Sequence, residues 1–138
     1  MCIRDSGDTA HATYVNHLQT KATLALDLWE PNPERMLAAT TRSIEYLAAG
    51  LPVITVTGAA WAEELTSSGA GWVIPPGDSA GLTRLLERLR SQRGLLAAAS
   101  SAATELVATR HSLTFAGREL LAFCAKPGRA VRIEATLI

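Results

Sequence analysis

Short apolar runs alternate along the chain with longer segments whose apolar residues recur at helical spacing. Runs that are apolar at nearly every position are typical of strands buried on both faces of a sheet. Three such strands are predicted, at residues 23–28, 51–56 and 71–74. The segment at 29–33 must be a loop that ends the first strand, because its two prolines exclude a continuing strand.

Helical patterns lie before, between and after these strands. Residues 11–21 predict a short helix with Tyr14, Val15 and Leu18 on one face. A second helix begins near Thr41 and ends at Gly50, and a third covers residues 60–68 and ends at Gly69. The inward stripe of the second helix is expected to consist of Ile44, Leu47 and Ala48.

Three more helices are predicted in the C-terminal half. The clearest begins at an Asp78 or Ser79 cap and ends at Gly94. An alanine-rich helix covers about 95–109, and a last helix begins at a Ser112 or Thr114 cap and ends at Pro127–Gly128. The apolar stripes expected to face inward are Leu82, Leu85, Leu86 and Leu89 in the first helix, and Leu113, Ala116, Leu120 and Phe123 in the last.

The alternation of strands and helices predicts an α/β fold, with a doubly wound, Rossmann-like parallel sheet and helices on both faces. Such a sheet usually has about five or six strands, so three strands indicate a partial fold truncated at its N-terminal side. Residues 1–6 match no later pattern and are predicted to be a non-native prefix, of the kind seen on truncated metagenomic reading frames. The first strand is then expected to expose an apolar edge that favours self-association.

Composition narrows the class of protein. Thirteen basic and thirteen acidic residues cancel, which gives no charge-based reason to expect a nucleic-acid or membrane partner. The two cysteines, at opposite ends of the chain, cannot form a disulfide framework, so a cytoplasmic location is expected. No apolar run approaches the roughly 18 residues of a membrane span, and no signal-peptide pattern is present.

A ligand site is expected at the carboxyl ends of the strands, where open parallel sheets bind ligands. The loop at 28–40 leads there into a helix whose free amides and dipole favour an anion such as a diphosphate. Glu45 lies one turn inside that helix, where a carboxylate can accept hydrogen bonds from the two hydroxyls of a ribose. Trp29 is the one tryptophan at a strand's carboxyl end and is a candidate for base stacking.

The stretch from Ala25 to Asp78 resembles the donor-binding domain of retaining glycosyltransferases of the GT-B fold. The resemblance rests on "RSIEYLAAGLPVITVTG", on "GAGWVIPPGD" and on the leucine-striped helix after them, and "RELLAFCAKPGRA" resembles the last helix of that family. It implies that residues 7–126 are the C-terminal part of a nucleotide-sugar-binding domain and that 127–138 are a tail. It also implies that Glu45 binds the donor ribose and that the diphosphate and sugar lie near Ala39, Thr40, Thr41 and Arg42.

The implied function is donor binding for a hexosyltransferase-type parent enzyme. The parent would transfer a sugar from a nucleotide-diphosphate donor to an acceptor held by a missing N-terminal domain, and any membrane association would come through that parent. Helix-end amides would stabilise charge on the leaving diphosphate. No residue is expected to act as a catalytic base, no cofactor or metal is expected, and the chain alone is expected to be inactive.

The sequence departs from the family pattern at two places. Many members carry a donor-sugar glutamate eight positions before the ribose-binding one, where this chain has Leu37, and a subgroup has Gly-Asp where this chain has Gly58-Ala59. Two alternatives therefore stay open: a non-catalytic partner or scaffold subunit, and a nucleotide-sugar epimerase of the same fold.

The candidate residues also have structural interpretations. Glu45 can be a solvated surface residue, and Arg42 can pair with it on the same helix. Glu63 and Glu64 suit the amino end of their helix through its dipole. The three histidines have no partner at metal-ligand spacing, and no Gly-x-Gly-x-x-Gly or Gly-Lys-Ser/Thr motif is present, which disfavours a dinucleotide-binding or P-loop site.

Overall fold

The computed structural model describes residues 10–30, 32–37 and 40–126. Four expectations concern residues outside these ranges: the prefix 1–6, Ala39, the helix end at Pro127–Gly128 and the tail 127–138. The strands are β1 (Ala25–Asp27), β2 (Val53–Val56) and β3 (Gly71–Ile74). The helices are α1 (His11–Lys21), α2 (Pro33–Leu37), α3 (Thr41–Ala48), α4 (Ala62–Ser68), α5 (Ser79–Ser91), α6 (Arg93–Leu106) and α7 (Leu113–Ala125), with a π-helical turn at Val107–His111.

The three strands form an open parallel sheet in the order β1-β2-β3. β2 is the central strand, and its Ile54 is in register with Leu26 on one side and with Trp72 on the other. Parallel neighbours need crossover connections, and α3 and α4 supply them. The predicted α/β fold with a partial Rossmann-like sheet is therefore confirmed.

Apolar side chains are buried on both faces of the sheet, because successive residues of a strand point to opposite sides. Val53 belongs to a core cluster with Leu47 of α3, Leu65 of α4 and Leu106 of α6. Ile54 belongs to a separate cluster, whose buried members are Ile54, Val56, Ile74 and Leu89 and which Leu82 and Leu85 of α5 pack against. The sheet is thus covered by helices on both faces, as predicted.

Two glycines fix the connection between α4 and β3. Gly69 ends α4 with φ +74°, a left-handed conformation that other residues adopt with strain. Gly71 begins β3, where a Cβ atom would collide with the carbonyl oxygen of Val53 on the neighbouring strand. The close approach of β3 to β2 therefore requires glycine at position 71.

The strands and the first connections differ in part from the prediction. β1 covers only residues 25–27, it is an edge strand of the sheet, and its Leu26 is 49% exposed, so this strand is not buried on both faces as expected. α2 occupies part of the predicted loop at 28–40, and it begins at Pro33, whose fixed φ suits the first position of a helix. In α3, Ser43 faces inward and Ala48 is exposed, which reverses the expectation for Ala48.

The C-terminal helices also begin and end elsewhere than predicted. Gly94 does not end α5; it lies in the first turn of α6, and Gln92, with φ −119° and ψ 70°, separates the two helices. α6 ends at Leu106 and continues as the π-helical turn rather than as a regular helix to 109. The apolar residues of α7 do not face inward: Leu113 is 93%, Leu120 is 64% and Phe123 is 56% exposed.

No helix among the described residues is both long and apolar enough to cross a membrane.

Candidate functional site

A cluster of three polar side chains joins the carboxyl end of β1 to the amino end of α3. The Thr40 hydroxyl donates to Oδ2 of Asp27 at 3.0 Å, and the Ser43 hydroxyl donates to the same oxygen at 2.8 Å. The two hydroxyl oxygens lie 2.7 Å apart. Ser43 is 1% exposed, so the predicted ligand-binding edge of the sheet carries a buried polar connection between strand and helix.

This cluster places a carboxylate where the helix dipole favours a negative charge. The hydroxyls of Thr40 and Ser43 have one hydrogen each for the three oxygen–oxygen contacts, so at most two of these contacts are full hydrogen bonds at one time. The Thr55 hydroxyl also donates to the Asp27 carbonyl at 3.2 Å, which ties β2 to the end of β1. Asp27 was missed in the sequence, although an acidic residue inside the apolar run 23–28 is the signal that could have found it.

Glu45 lies on the exposed side of α3, two positions beyond the buried Ser43 and therefore about 200° around the helix axis from it. Its neighbours include Tyr14 of α1, whose pKa is raised from the ordinary tyrosine value. Burial raises the pKa of Tyr14 most. The nearby Tyr46 and Glu45 side chains raise this pKa further, Tyr46 also through a side-chain hydrogen bond, and the positive charge of Arg42 lowers it. Glu45 is thus accessible from solvent and lies beside the α1–α3 contact.

The other predicted site residues at the amino end of α3 differ in their contacts and exposure. Thr40 is the residue before the helix, but its hydroxyl binds Asp27 instead of capping a helix amide. Thr41 and Arg42 are exposed in the first turn. No ion pair joins Arg42 to Glu45 in the described part of the chain, so the surface pairing considered for them is not formed.

Trp29 lines a cleft of about 310 Å³ on the α5 face of the sheet. The cleft walls include Leu28, Val56 and Ile74, and Asp78 lies at its rim, where Oδ1 accepts a hydrogen bond from the Gly81 amide at 2.7 Å. None of the residues that line this cleft comes from α3. The structure therefore brings Thr40, Thr41, Arg42 and Glu45 together on one helix end, but it does not bring Trp29 into the same pocket.

The two departures from the family pattern are visible on the surface. Leu37 is the last residue of α2 and is 87% exposed. Gly58 follows β2 with φ +90°, and a Cβ atom there would meet nothing within 4 Å. The described residues also contain no group of three or more histidine, cysteine, aspartate or glutamate side chains that could hold a metal ion.

A second polar cluster, which sequence reasoning missed, lies away from the sheet edge. Nε2 of His111 lies 3.1 Å from Oε2 of Glu64, and Arg110 lies 3.6 Å from Oε1 of the same carboxylate. The His111 ring contacts the Trp61 ring with centroids 4.7 Å apart. Glu64 therefore connects α4 to the π-helical turn, a tertiary role beyond the dipole interaction expected for it. His111 lies 47 residues away from it in sequence, beyond what local spacing shows.

No protein-family model, curated protein or solved structure matches this chain. The α/β fold and the geometry of the sheet edge are established by the structure alone.

Proposed function

We propose that this chain is the donor-binding part of a retaining GT-B glycosyltransferase and that Glu45 binds the ribose of a nucleotide-diphosphate sugar. The observation that carries the proposal is the position of Glu45. It is exposed, it forms no ion pair with a described residue, and it lies one turn inside a helix that begins at the carboxyl edge of a parallel sheet. A carboxylate in that position can accept two hydrogen bonds from a vicinal diol.

The amino end of α3 would hold the diphosphate. The amides of the first turn and the helix dipole favour an anion, and the exposed Arg42 adds a guanidinium group on the same turn. Asp27 already occupies the strand side of this helix end, so the diphosphate would approach from the solvent side, where Thr41 and Arg42 are exposed.

The chemistry proposed for the parent enzyme is electrostatic. Fixed amide dipoles and Arg42 would stabilise the charge that develops on the leaving diphosphate. The chain supplies no catalytic base in this scheme, and the acceptor would be held by another domain. We place the parent in the cytoplasm; the exposed and unpaired Cys124 is compatible with a reducing compartment.

The test is binding of nucleoside diphosphates to the 138-residue chain, measured by isothermal titration calorimetry with UDP, GDP and ADP. Glu45→Gln should weaken binding of the best ligand by about tenfold, because it removes the negative charge and replaces one of the two acceptor oxygens with an NH2 donor. The same nucleotide without its 2′ and 3′ hydroxyls should bind the unsubstituted 138-residue chain and the Glu45→Gln variant equally. Glu87→Gln, which removes the same charge from an exposed position of α5, is the matched control.

Two results would contradict the proposal. One is the absence of binding for every nucleotide, and the other is an equal loss of affinity in Glu45→Gln for ligands with and without the ribose hydroxyls. The second result would show that Glu45 acts through general charge and not through the diol.

A non-catalytic partner or scaffold subunit is the second candidate, and the exposed Leu37 favours it. An apolar side chain that is 87% exposed replaces the acidic side chain that would touch the donor sugar. Donor hydrolysis by the intact parent protein separates the two functions: activity that Glu45→Ala abolishes supports the transferase, and equal inertness of both proteins supports the scaffold. The epimerase alternative stays a prediction without an observation in its favour.

A further inference from the structure

A second cavity lies at the opposite, amino edge of the sheet and has a volume of about 570 Å³. Its walls come from the residues just before β1 and β2 and from the junction between α5 and α6. β2 separates it from the proposed donor edge by four residues, a distance of about 13 Å along the strand. The cavity is therefore a separate site.

Two arginines, Arg90 and Arg93, line this cavity, and none of the described residues that line it is acidic. Neither arginine forms an ion pair with any residue that the structure describes. Both arginines are exposed, so each guanidinium group is free to turn towards an anion at the mouth of the cavity. The cavity thus has a local excess of positive charge, although the 13 basic and 13 acidic residues of the whole chain cancel.

The position of Arg93 strengthens this argument. Arg90 lies in the last turn of α5, where the helix dipole favours a cation. Arg93 is the first residue of α6, where the dipole disfavours one, and this helix end has neither an acidic residue in its first turn nor a side-chain cap. The adjacent Gly94 faces open space, since a Cβ atom there would meet nothing within 4 Å.

The other residues that line the cavity indicate that its ligand has an apolar part. Leu51, Leu89 and Leu96 line the cavity with apolar surface. Its volume falls in the range of small-molecule sites, which hold a ligand's body against apolar walls and orient it through a few polar groups. Free inorganic phosphate would leave most of this space unfilled.

We propose that this cavity binds an organic phosphate, with the phosphate between Arg90 and Arg93 and an apolar body against the leucines. A phosphate monoester carries nearly two negative charges at neutral pH, which matches two guanidinium groups, and arginine binds phosphate through paired hydrogen bonds. The ligand is either a soluble metabolite or the headgroup of a lipid, because both present the same phosphate. The site does not depend on Glu45 or on nucleotide binding.

Titration of the 138-residue chain with phenyl phosphate, monitored by calorimetry and by backbone amide NMR shifts, tests the proposal. Phenyl phosphate should bind more tightly than inorganic phosphate, phenol should not bind, and the shifts should centre on Arg93 and Gly94. Arg90→Ala and Arg93→Ala should each weaken binding by about tenfold, because each removes charged hydrogen bonds. Co-sedimentation with vesicles that contain phosphatidic acid distinguishes the two sources of the phosphate. If the unsubstituted chain sediments with them and Arg93→Ala does not, the ligand is a lipid headgroup.

Arg84→Ala is the matched control, because Arg84 is an exposed arginine of α5 that does not line the cavity. It removes the same charge and should leave affinity unchanged. Thermal unfolding of the three variants establishes that each is folded. Absence of phenyl phosphate binding in the parent chain, or an equal loss of affinity in Arg84→Ala, would overturn the proposal.

Discussion

Helices α5 and α7 are built alike but are placed differently. Each has 13 residues, and each begins at a side-chain cap: Asp78 accepts from the Gly81 amide and Ser112 from the Phe115 amide. α5 packs Leu82, Leu85 and Leu89 on the sheet and buries Leu89 to 2% exposure, although Leu86, which was expected to face inward, is 39% exposed. α7 leaves Leu120 64% exposed. Local sequence therefore determines that both segments are helical, but only an available sheet face determines which stripe is buried.

The comparison also separates two contributions to stability. α5 gains the free energy of apolar burial in addition to its cap, while α7 relies on its cap and on contacts with the π-helical turn before it. Substitutions of the same kind in the two helices should consequently have unequal effects.

The largest difference is expected for truncation of matched leucines. Leu89→Ala removes a buried side chain and should lower the free energy of unfolding by about 3 kcal/mol. Leu120→Ala should change it by less than about 0.5 kcal/mol, because that side chain is already exposed. Urea unfolding monitored by circular dichroism measures both, and equal losses would show that α7 packs on the rest of the chain in solution.

Removal of the two caps should give a smaller contrast. Asp78→Ala should cost about 1 kcal/mol of global stability, since α5 unfolds together with the sheet it covers. Ser112→Ala should fray α7 and reduce helical circular dichroism, with a change in global stability below about 0.5 kcal/mol. A global loss in Ser112→Ala as large as that in Asp78→Ala would contradict this interpretation.

The smallest effect concerns α1, which is only partly packed. The folded chain holds the Tyr14 pKa above its ordinary value, chiefly through burial. Below the ordinary value Tyr14 is protonated in both states; above it the unfolded chain loses the proton first, so stability falls as pH rises towards the folded pKa. Between about pH 9 and about pH 11, urea midpoints should fall less in Tyr14→Phe than in the parent chain; an identical fall would exclude Tyr14 as the cause.

Much of the fold could be predicted because its signals are local. The bounds of α1 and β3 agree with the predicted ranges, and Gly50 and Gly69 come after α3 and α4 with positive φ, as expected of helix stops. The alternation of apolar runs with helical stripes was sufficient to predict a parallel sheet, since consecutive parallel strands need helical crossovers.

The predictions were wrong where a contact with a residue distant in sequence determines the local structure or the burial of a side chain. Ser43 faces inward although it is polar, because the Asp27 carboxylate at the end of β1 accepts its hydrogen bond. The π-helical turn is associated with a contact between His111 and Glu64, which no local pattern contains. The stripe of α7 was expected to be buried because it is apolar, yet no described element covers it.

The candidate site was predicted in part. The resemblance implies that Thr40, Thr41 and Arg42 lie beside the diphosphate and that Glu45 binds the ribose. The structure places all four at the amino end of α3, and their ligand roles stay predictions. Asp27 is marked as unusual by its place in the apolar run 23–28, but that run gives no indication that the hydroxyls of Thr40 and Ser43 bind it. Trp29 follows β1 at the same edge of the sheet, but its side chain lies on the α5 face, and its role in base stacking stays a prediction.

The order of the strands has a consequence for the way the chain folds. Each strand pairs with its nearest neighbour in sequence, so every step of sheet growth closes a loop of only one crossover connection. Closing such a loop costs less chain entropy than closing the longer loop of a sheet whose neighbouring strands are far apart in sequence. The strands can therefore pair in chain order, but the core on each face of β2 stays incomplete until α5 and α6 supply Leu89 and Leu106, so the sheet becomes stable only when the C-terminal helices have docked.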